Sequence, residues 1–218
     1  MKARRATMVA LIVLLLSVTS ACQSEREMQS PVETASMGPP TALGTYPVAN
    51  AWARKWRANA FLTRLSMVIP GDDLDSGPRE ITYWFLADRG FGPFRWRDRA
   101  SITVDTHEGK VVKVETGWGR GGYMSVVPLG IEYALLDSSD ALRMAEALGG
   151  KAYREKYADT LVSIVGEEGL CLGDLFWSVM YLGPLHDGMY KSLYFLLTDA
   201  RTGEVRGDAR VPPSIPGR

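Results

Sequence analysis

The sequence has few of the residues that build most catalytic and metal sites. Its 218 residues include two cysteines and two histidines. The histidines, His107 and His186, do not stand at a spacing that would place two metal ligands on one helix face. We therefore predict no catalytic residue, no metal site and no cofactor.

Long apolar runs are also missing. The longest, MVALIVLLL at residues 8–16, is too short to span a bilayer. It follows Lys2, Arg4 and Arg5 and precedes small residues, which is the pattern of an export signal. We predict a signal peptide over residues 1–21.

The end of this segment, Thr19-Ser20-Ala21-Cys22, resembles the lipobox of bacterial lipoproteins, although Thr19 stands where leucine is commonest. The resemblance implies that Cys22 becomes the acylated first residue, carrying palmitate-type chains, and that the protein is anchored to a bacterial membrane. It would face the periplasm or the cell exterior. The alternative is an ordinary secretory signal with an incidental cysteine.

Residues 22–47 are rich in Ser, Pro, Gln, Glu and Thr and poor in large apolar side chains. Such a segment buries too little surface to offset its chain entropy, so we predict a disordered tether with a reach of roughly 30 Å. The remaining boundaries follow: a first unit with its connector at 48–127, a second unit at 128–210, and a tail at 211–218.

Cleavage before Cys22 changes the charge balance. The whole chain has 25 basic and 25 acidic residues, and residues 1–21 contain three basic ones, so 25 − 3 = 22 basic residues remain against 25 acidic and the net charge is −3. Nucleic-acid binding depends on basic patches, so no nucleic-acid partner is predicted. Cys171 would be the remaining thiol, which excludes an intrachain disulfide.

Four landmarks recur in the same order at an offset near 94 residues, and this pattern predicts an internal duplication. The alternative is coincidence. The pairs are Gly71-Asp72-Asp73 with Gly166-Glu167-Glu168, Trp84 with Trp177, Asp105 with Asp199, and Gly109 with Gly203.

Each half is predicted to contain a helix, a short strand, an acidic turn, a long strand and a hairpin. The first helix is placed at 50–65, with Asn50 as its N-cap and with Ala58, Phe61, Leu62 and Leu65 forming one apolar stripe. The second helix is placed at 139–158, capped by Ser138 or Ser139, and Gly149-Gly150 weakens it, bends it or lets it approach a strand closely.

The two hairpins have a mechanical explanation. Gly109 and Gly203 supply the positive φ that the turn needs before its second strand. Asp105 and Asp199 accept backbone N–H bonds within the turn. These shared residues therefore predict a turn and not a catalytic motif.

The second half, ALRMAEALGG followed by a Trp-bearing strand and LYFLLTDARTGEVRG, resembles the PepSY domain group over residues 139–208. The first half is similar more loosely. The resemblance implies an α+β fold of two tandem cystatin-like units, each with one helix packed on an antiparallel sheet of about four strands. It also implies an exported, non-enzymatic module for peptidase inhibition, regulation or ligand binding.

Three weaker sources of chemistry stay open as alternatives. His107 with Asp105 and Glu108 contains metal-ligand residue types. Cys171 with His186 contains a nucleophile and a base. The acidic pairs Asp72-Asp73 and Glu167-Glu168 have carboxylates suited to acid–base work or calcium, although solvated turns also collect such residues.

Two segments have the composition of a binding surface: FGPFRWRD at 91–98 and GWGRGGYM at 117–124. Aromatic and arginine side chains dominate contact energies, and loops often hold functional residues. The alternative is that these rings pack internally. The predicted surface consists of Phe91, Phe94, Arg95, Trp96, Trp118, Arg120 and Tyr123.

The function predicted from the sequence is a membrane-anchored binding or regulatory module for an unknown peptide, protein or envelope polymer. The alternatives are an envelope hydrolase that uses carboxylates or a Cys-His pair, and a structural spacer.

Overall fold

The computed structural model describes residues 41–89, 96–120, 127–168, 174–186 and 189–207. These residues all belong to one structural unit. The predicted signal peptide, Cys22, most of the tether and the tail at 211–218 lie outside them.

The described residues form eight strands and three α-helices. In chain order these are α1 (Ala42–Trp56), β1 (Phe61–Pro70), β2 (Glu80–Arg89), β3 (Trp96–Asp105), β4 (Lys110–Arg120), α2 (Ser138–Ala145), α3 (Lys151–Lys156), β5 (Leu161–Glu168), β6 (Leu175–His186), β7 (Met189–Asp199) and β8 (Val205–Gly207). A π-helical turn, Glu146–Gly150, joins α2 to α3, and short 3-10 turns lie at Leu74–Ser76 and Ile131–Tyr133.

All eight strands belong to one antiparallel sheet with the order β4-β3-β2-β1-β5-β6-β7-β8. The predicted α+β class with an antiparallel sheet is confirmed. The first strand of each half lies at the centre of the sheet, where Leu65 pairs with Gly166 and Pro70 pairs with Leu161. The two halves are therefore continuous through backbone hydrogen bonds between β1 and β5.

The helices lie on one face of this sheet. Side chains alternate along each strand and directly paired residues share a face, so the strand pairing shows which side chains meet the helices. Tyr83 donates to the Ala42 carbonyl of α1 at 2.7 Å, and Tyr181 contacts Glu146 after α2 at 2.7 Å. The strand pairing from β2 through β1 and β5 to β6 places both tyrosines on the same face of the sheet. The core of that face is almost fully buried and includes Leu65, Met67, Ile69, Ile81, Tyr83, Phe85, Ile102, Val104, Val162, Ile164, Trp177, Val179 and Tyr181.

The opposite face is not covered by any described helix, and we call it the open face. It carries the alternate residues of the same strands, and these are mostly polar or half-exposed. Its described members include Arg64, Ser66, Val68, Thr82, Trp84, Arg99, Ser101, Lys113, Glu115, Leu161, Ser163, Val165, Glu167 and Met180.

The first helix differs from its prediction. It runs from Ala42 to Trp56, its N-cap is Thr41 and not Asn50, and the Thr41 hydroxyl accepts from Gly44 N. Phe61 and Leu65 lie in β1, where burial follows the alternation of a strand. Their spacing fitted a helical stripe because positions four apart share a face in both a helix and a strand.

The tether boundary at residue 47 is also wrong. Residues 42–47 belong to the helix, and Pro47 lies inside it. Proline removes one backbone donor in a helix interior, and the prediction counted Pro47 with the proline-containing tether. Burial of Ala42, Thr45 and Val48 against the sheet holds this turn in place.

The second helical segment begins within one residue of the predicted position, but its cap is Asp137 and not Ser138 or Ser139. Asp137 and Asp140 form a capping box. Gly149 has φ of 130°, which breaks the helix locally. Gly150 packs directly against the Tyr181 ring, where a Cβ would overlap it. The predicted bend and the predicted close approach to a strand are both confirmed.

One carboxylate caps both helical segments. Asp137 Oδ1 accepts from its own helix at Ser138 N, 2.6 Å, and from Leu43 N of α1 at 3.1 Å. Ala42 N donates to Ser138 Oγ at 3.1 Å. Helix N-termini carry partial positive charge and repel each other. Two of them can lie side by side here because the Asp137 carboxylate lies between them.

The predicted hairpin turns are confirmed. Gly109 and Gly203 have φ of 62° and 74°. Asp105 Oδ1 accepts from His107 N and Glu108 N, both at 2.9 Å. Asp199 Oδ1 accepts from Arg201 N and Thr202 N at 2.8 and 3.1 Å.

One predicted equivalence fails. Trp84 is half-buried on the open face, whereas Trp177 is buried on the helix face and donates to the Leu136 carbonyl at 2.9 Å. A sequence offset alone does not count the loop residues that separate the strands, so it misplaced this pair. The acidic pairs also differ from the prediction of two acidic turns: Asp72 and Asp73 are exposed in a turn, but Glu167 and Glu168 lie within β5.

We expect Asp137→Ala to lower the free energy of unfolding by about 2 kcal/mol, because two helices lose a cap worth about 1 kcal/mol each. Asp137→Asn retains one acceptor oxygen and should cost less. Urea titration of the purified protein measures both. Asp72→Ala, in an exposed turn, is the matched control, and an Asp137→Ala curve that overlays this control would contradict the shared cap.

Candidate functional site

The predicted aromatic surface falls mostly outside the described residues. Phe91, Phe94, Arg95 and Tyr123 lie in the segments 90–95 and 121–126 that the structure does not describe. For Trp96, Trp118 and Arg120 the backbone alone is described.

The backbone brings the ends of the two aromatic segments together. Trp96 is paired with Arg89 on β2 and with Arg120 on β4, and Trp118 is opposite Asp98. The described parts of both predicted segments therefore lie at the same end of three adjacent strands.

A cluster of ion pairs lies at this end of the sheet. Asp98, whose side chain is 8% exposed, is 2.8 Å from Arg57 Nη2 and 3.6 Å from Arg89 Nη1. Arg97, whose side chain is 9% exposed, pairs with Asp88 at 3.1 Å. Because Arg57 directly follows α1, the cluster fastens the C-terminal end of that helix to the strand that leads out of segment 90–95.

The centre of the open face has exposed apolar residues beside hydroxyls. Val68 and Leu161 are 54% and 43% exposed. Val68 is opposite Ser163, and Ser66 is opposite Thr82. Thr82 and Thr103 share a hydrogen bond of 3.0 Å on the same face. Large apolar side chains next to small polar ones form a surface suited to a partner with both kinds of group.

Arg64, Trp84 and Arg99 form the most distinctive group on this face, and we call it the arginine–tryptophan group. Arg64 is opposite Trp84, and its guanidinium carbon lies 5.7 Å from the centroid of the indole ring. Trp84 is opposite Ser101, so Arg99, two residues away on β3, is its diagonal neighbour. Tryptophan and arginine are the residues that most often dominate interface energies.

This group was not predicted as a site. Arg64 fell inside the predicted helix at 50–65, and Trp84 was treated as a landmark of the duplication. The alternation in β1 and β2 was the signal that would have placed both on one face of a sheet, because Arg64 and Trp84 fall at positions facing away from the buried residues.

The described residues of the alternative chemistries lie in separate turns and strands. Cys171 lies outside the described residues, and for His186 the backbone alone is described. His107 is exposed in the first hairpin turn. Glu167 Oε1 is 3.5 Å from Ser178 Oγ. Among the described residues, no three His, Cys, Asp or Glu side chains come together as metal ligands would.

One titratable network joins the helical segment to the sheet. Arg154 donates to both carboxylate oxygens of Glu146, at 3.1 and 2.5 Å, and to the Gly71 carbonyl at 2.6 Å. Tyr181 donates to Glu146 Oε1 at 2.7 Å. Burial opposes the charge on Glu146, but these hydrogen bonds lower its pKa below the usual value. Burial and the neighbouring carboxylate raise the pKa of Tyr181.

The contacts of this network are structural. The Glu146 carboxylate holds Tyr181 and Arg154 together, so it fixes the π-helical turn against β6, and Arg154 connects that turn to the one after β1.

The described surface also contains a shallow cavity lined by Tyr133, Asp174, Leu175 and Arg201. Its volume is about 30 Å³, whereas small-molecule sites usually enclose about 300 Å³ or more. This cavity is too small for a metabolite, so we place the candidate site on the open face.

Comparison with protein-family models, with curated proteins and with solved structures found no match to this chain. The likeness to the PepSY group therefore stays a prediction. No helix in the described part of the chain is both long and apolar enough to cross a membrane.

The Glu146 network predicts a specific pH dependence of stability. The folded-state pKa of Glu146 is lowered, so its contribution is fully present above the unfolded-state pKa of about 4.3 and is lost as pH falls through the folded value. We expect stability below about pH 4.3 to fall more steeply for the wild type than for Glu146→Gln. Urea unfolding between about pH 3 and 6 measures this, with the exposed-helix variant Glu155→Gln as control. Parallel curves for wild type and Glu146→Gln would contradict the role assigned to this carboxylate.

Proposed function

We propose that this protein is an exported, lipid-anchored and non-enzymatic binding module that holds a peptide, a protein segment or an envelope polymer on the open face of its sheet. The observation that carries the proposal is the open face itself. It combines exposed Val68 and Leu161 with an arginine–tryptophan group, and no described helix covers it.

We further propose that the fold consists of two tandem cystatin-like units. Its support is the strand order, which runs 1-2-3-4 outward from the centre in one half and 5-6-7-8 outward in the other. The contact of Gly71 N with the Thr160 carbonyl, 2.7 Å, continues the β1–β5 pairing. The central pair is then Val68–Ser163. Gly71 and Gly166 each lie three residues after their member of this pair, as a duplication centred there requires.

The hairpins support the same proposal. Glu80 is opposite Asp105, and Phe176 is opposite Asp199. Counted from these turns, Trp177 takes the position of Ile81, and both are buried on the helix face. This correspondence replaces the pairing of Trp84 with Trp177.

The proposed anchor is Cys22, with the chain between it and Thr41 as the tether. About 20 flexible residues reach roughly 25 Å. That length is enough to hold the sheet clear of lipid head groups while keeping it close to the membrane.

A capture experiment tests the proposed function. The purified protein is immobilised and exposed to envelope extract from the source organism, and bound material is quantified by mass spectrometry. Ser66→Trp and Ser163→Trp place bulky neutral side chains at the centre of the open face, and each should reduce retention of a partner at least roughly tenfold. Ala152→Trp, on an exposed position of α3, adds the same side chain elsewhere and should retain the partner.

The alternatives give different results in this experiment. A hydrolase would release cleaved extract components, and a spacer would retain none. Retention that is equal in wild type and in both serine variants would move the site away from the open face. Trp96→Ala and Trp118→Ala enter as separate arms, because the register places both positions in line with Asp98 on the helix face. Loss of retention in these variants alone would place the site there and not on the open face.

A further inference from the structure

The arginine–tryptophan group points to the chemistry of the partner, in an inference that rests on the proposed function. We propose that Arg64, Trp84 and Arg99 recognise carboxylate side chains on an extended protein segment with both acidic and apolar residues. Val68, four residues further along β1, and Leu161, opposite Pro70, would receive its apolar side chains.

Arg64 is positioned for this role by its stacking on Trp84. Its guanidinium carbon is 5.7 Å from the ring centroid, and a stacked guanidinium keeps its in-plane N–H donors available. Arg64 forms no ion pair with a described carboxylate. The planar fork can therefore accept a carboxylate with two parallel hydrogen bonds.

Arg99 supplies a second cation on the same face. Its side chain crosses Gly117 on β4, where a Cβ would lie 3.0 Å from Arg99 Nε. The missing side chain at Gly117 lets the guanidinium lie low against the sheet. Like Arg64, Arg99 is exposed and forms no ion pair with a described carboxylate.

The charges around the group leave a positive surplus. Lys113 and Glu115 pair with each other at 2.8 Å, and Arg97 pairs with Asp88 at 3.1 Å. Glu167, on β5 beyond Arg64, contacts Ser178 instead. Arg64 and Arg99 against Glu167 leave a net charge of 2 − 1 = +1 on this part of the face.

The surroundings favour a protein segment over an anionic polymer. A uniformly charged polymer gains affinity from many cations along its path, whereas the neighbours of the group toward the centre of the sheet are Ser66, Val68, Ser163 and Leu161. Acidic and apolar side chains on one chain would satisfy both parts of the surface.

A display experiment tests the proposal. A library of random segments about 12 residues long, long enough to cross roughly 35 Å of sheet, is selected on the wild-type protein. We expect enrichment of Asp and Glu together with apolar residues. The most enriched segment is then synthesised, together with a version in which every Asp is Asn and every Glu is Gln, and the Kd of each is measured.

Charge variants give the decisive comparison. Arg64→Gln and Arg99→Gln should each weaken binding of the acidic segment roughly five- to tenfold, and the double variant should bind its acidic and amide forms about equally. Glu167→Gln removes the opposing charge and should tighten binding about two- to fivefold, which is the effect expected of one exposed charge. Lys55→Gln with Lys151→Gln removes two exposed helix cations and should leave the Kd unchanged.

The outcomes separate the two proposals. Segments whose binding is abolished by Ser66→Trp but which show no acidic enrichment would overturn the carboxylate proposal and keep the open face. Acidic enrichment that persists in the double arginine variant would also overturn it. Failure to select any segment that is sensitive to Ser66→Trp would count against the proposed function itself. Equal competition by polyphosphate and by the acidic segment would assign the group to a polyanion instead.

Discussion

The pairing of β1 with β5 is the constraint on which the rest of the structure depends. Six residue pairs, from Leu65–Gly166 to Pro70–Leu161, join two four-stranded halves into one sheet. Because paired residues share a face, this register also decides that both helical segments lie on the same side. A shift of one residue would turn one set of helices to the other side and cover the open face.

The helix side depends on a second shared feature, the Asp137 carboxylate. It accepts backbone N–H groups from α1 and α2, so the cap of one half comes from the other. Tyr83 and Thr45 add a buried hydrogen bond of 2.7 Å next to it. The helix face is thus tied together by polar contacts as well as by its apolar core, while the open face keeps its exposed side chains.

Local chemistry could be predicted from the sequence, but pairing could not. The hairpins follow from Asp105, Gly109, Asp199 and Gly203 because a turn is specified by residues within five positions. The bend at Gly149 follows in the same way. The boundary of α1 was misplaced because Pro47 weakens the helix signal, and long-range burial overrides that preference. Arg64 and Trp84 become neighbours through the β1–β2 register, which sequence spacing does not encode.

The central position of β1 has a consequence for the order in which the molecule is made. Until residues 161–168 are synthesised, β1 has one unsatisfied edge, and the N-terminus of α1 lacks the acceptor at Asp137. The first half is therefore an incomplete template with an open strand edge, a state prone to joining other chains. The exposed edge of β1 is paired only when β5 has been synthesised. This order favours folding of the whole sheet in one late step over separate folding of the two halves.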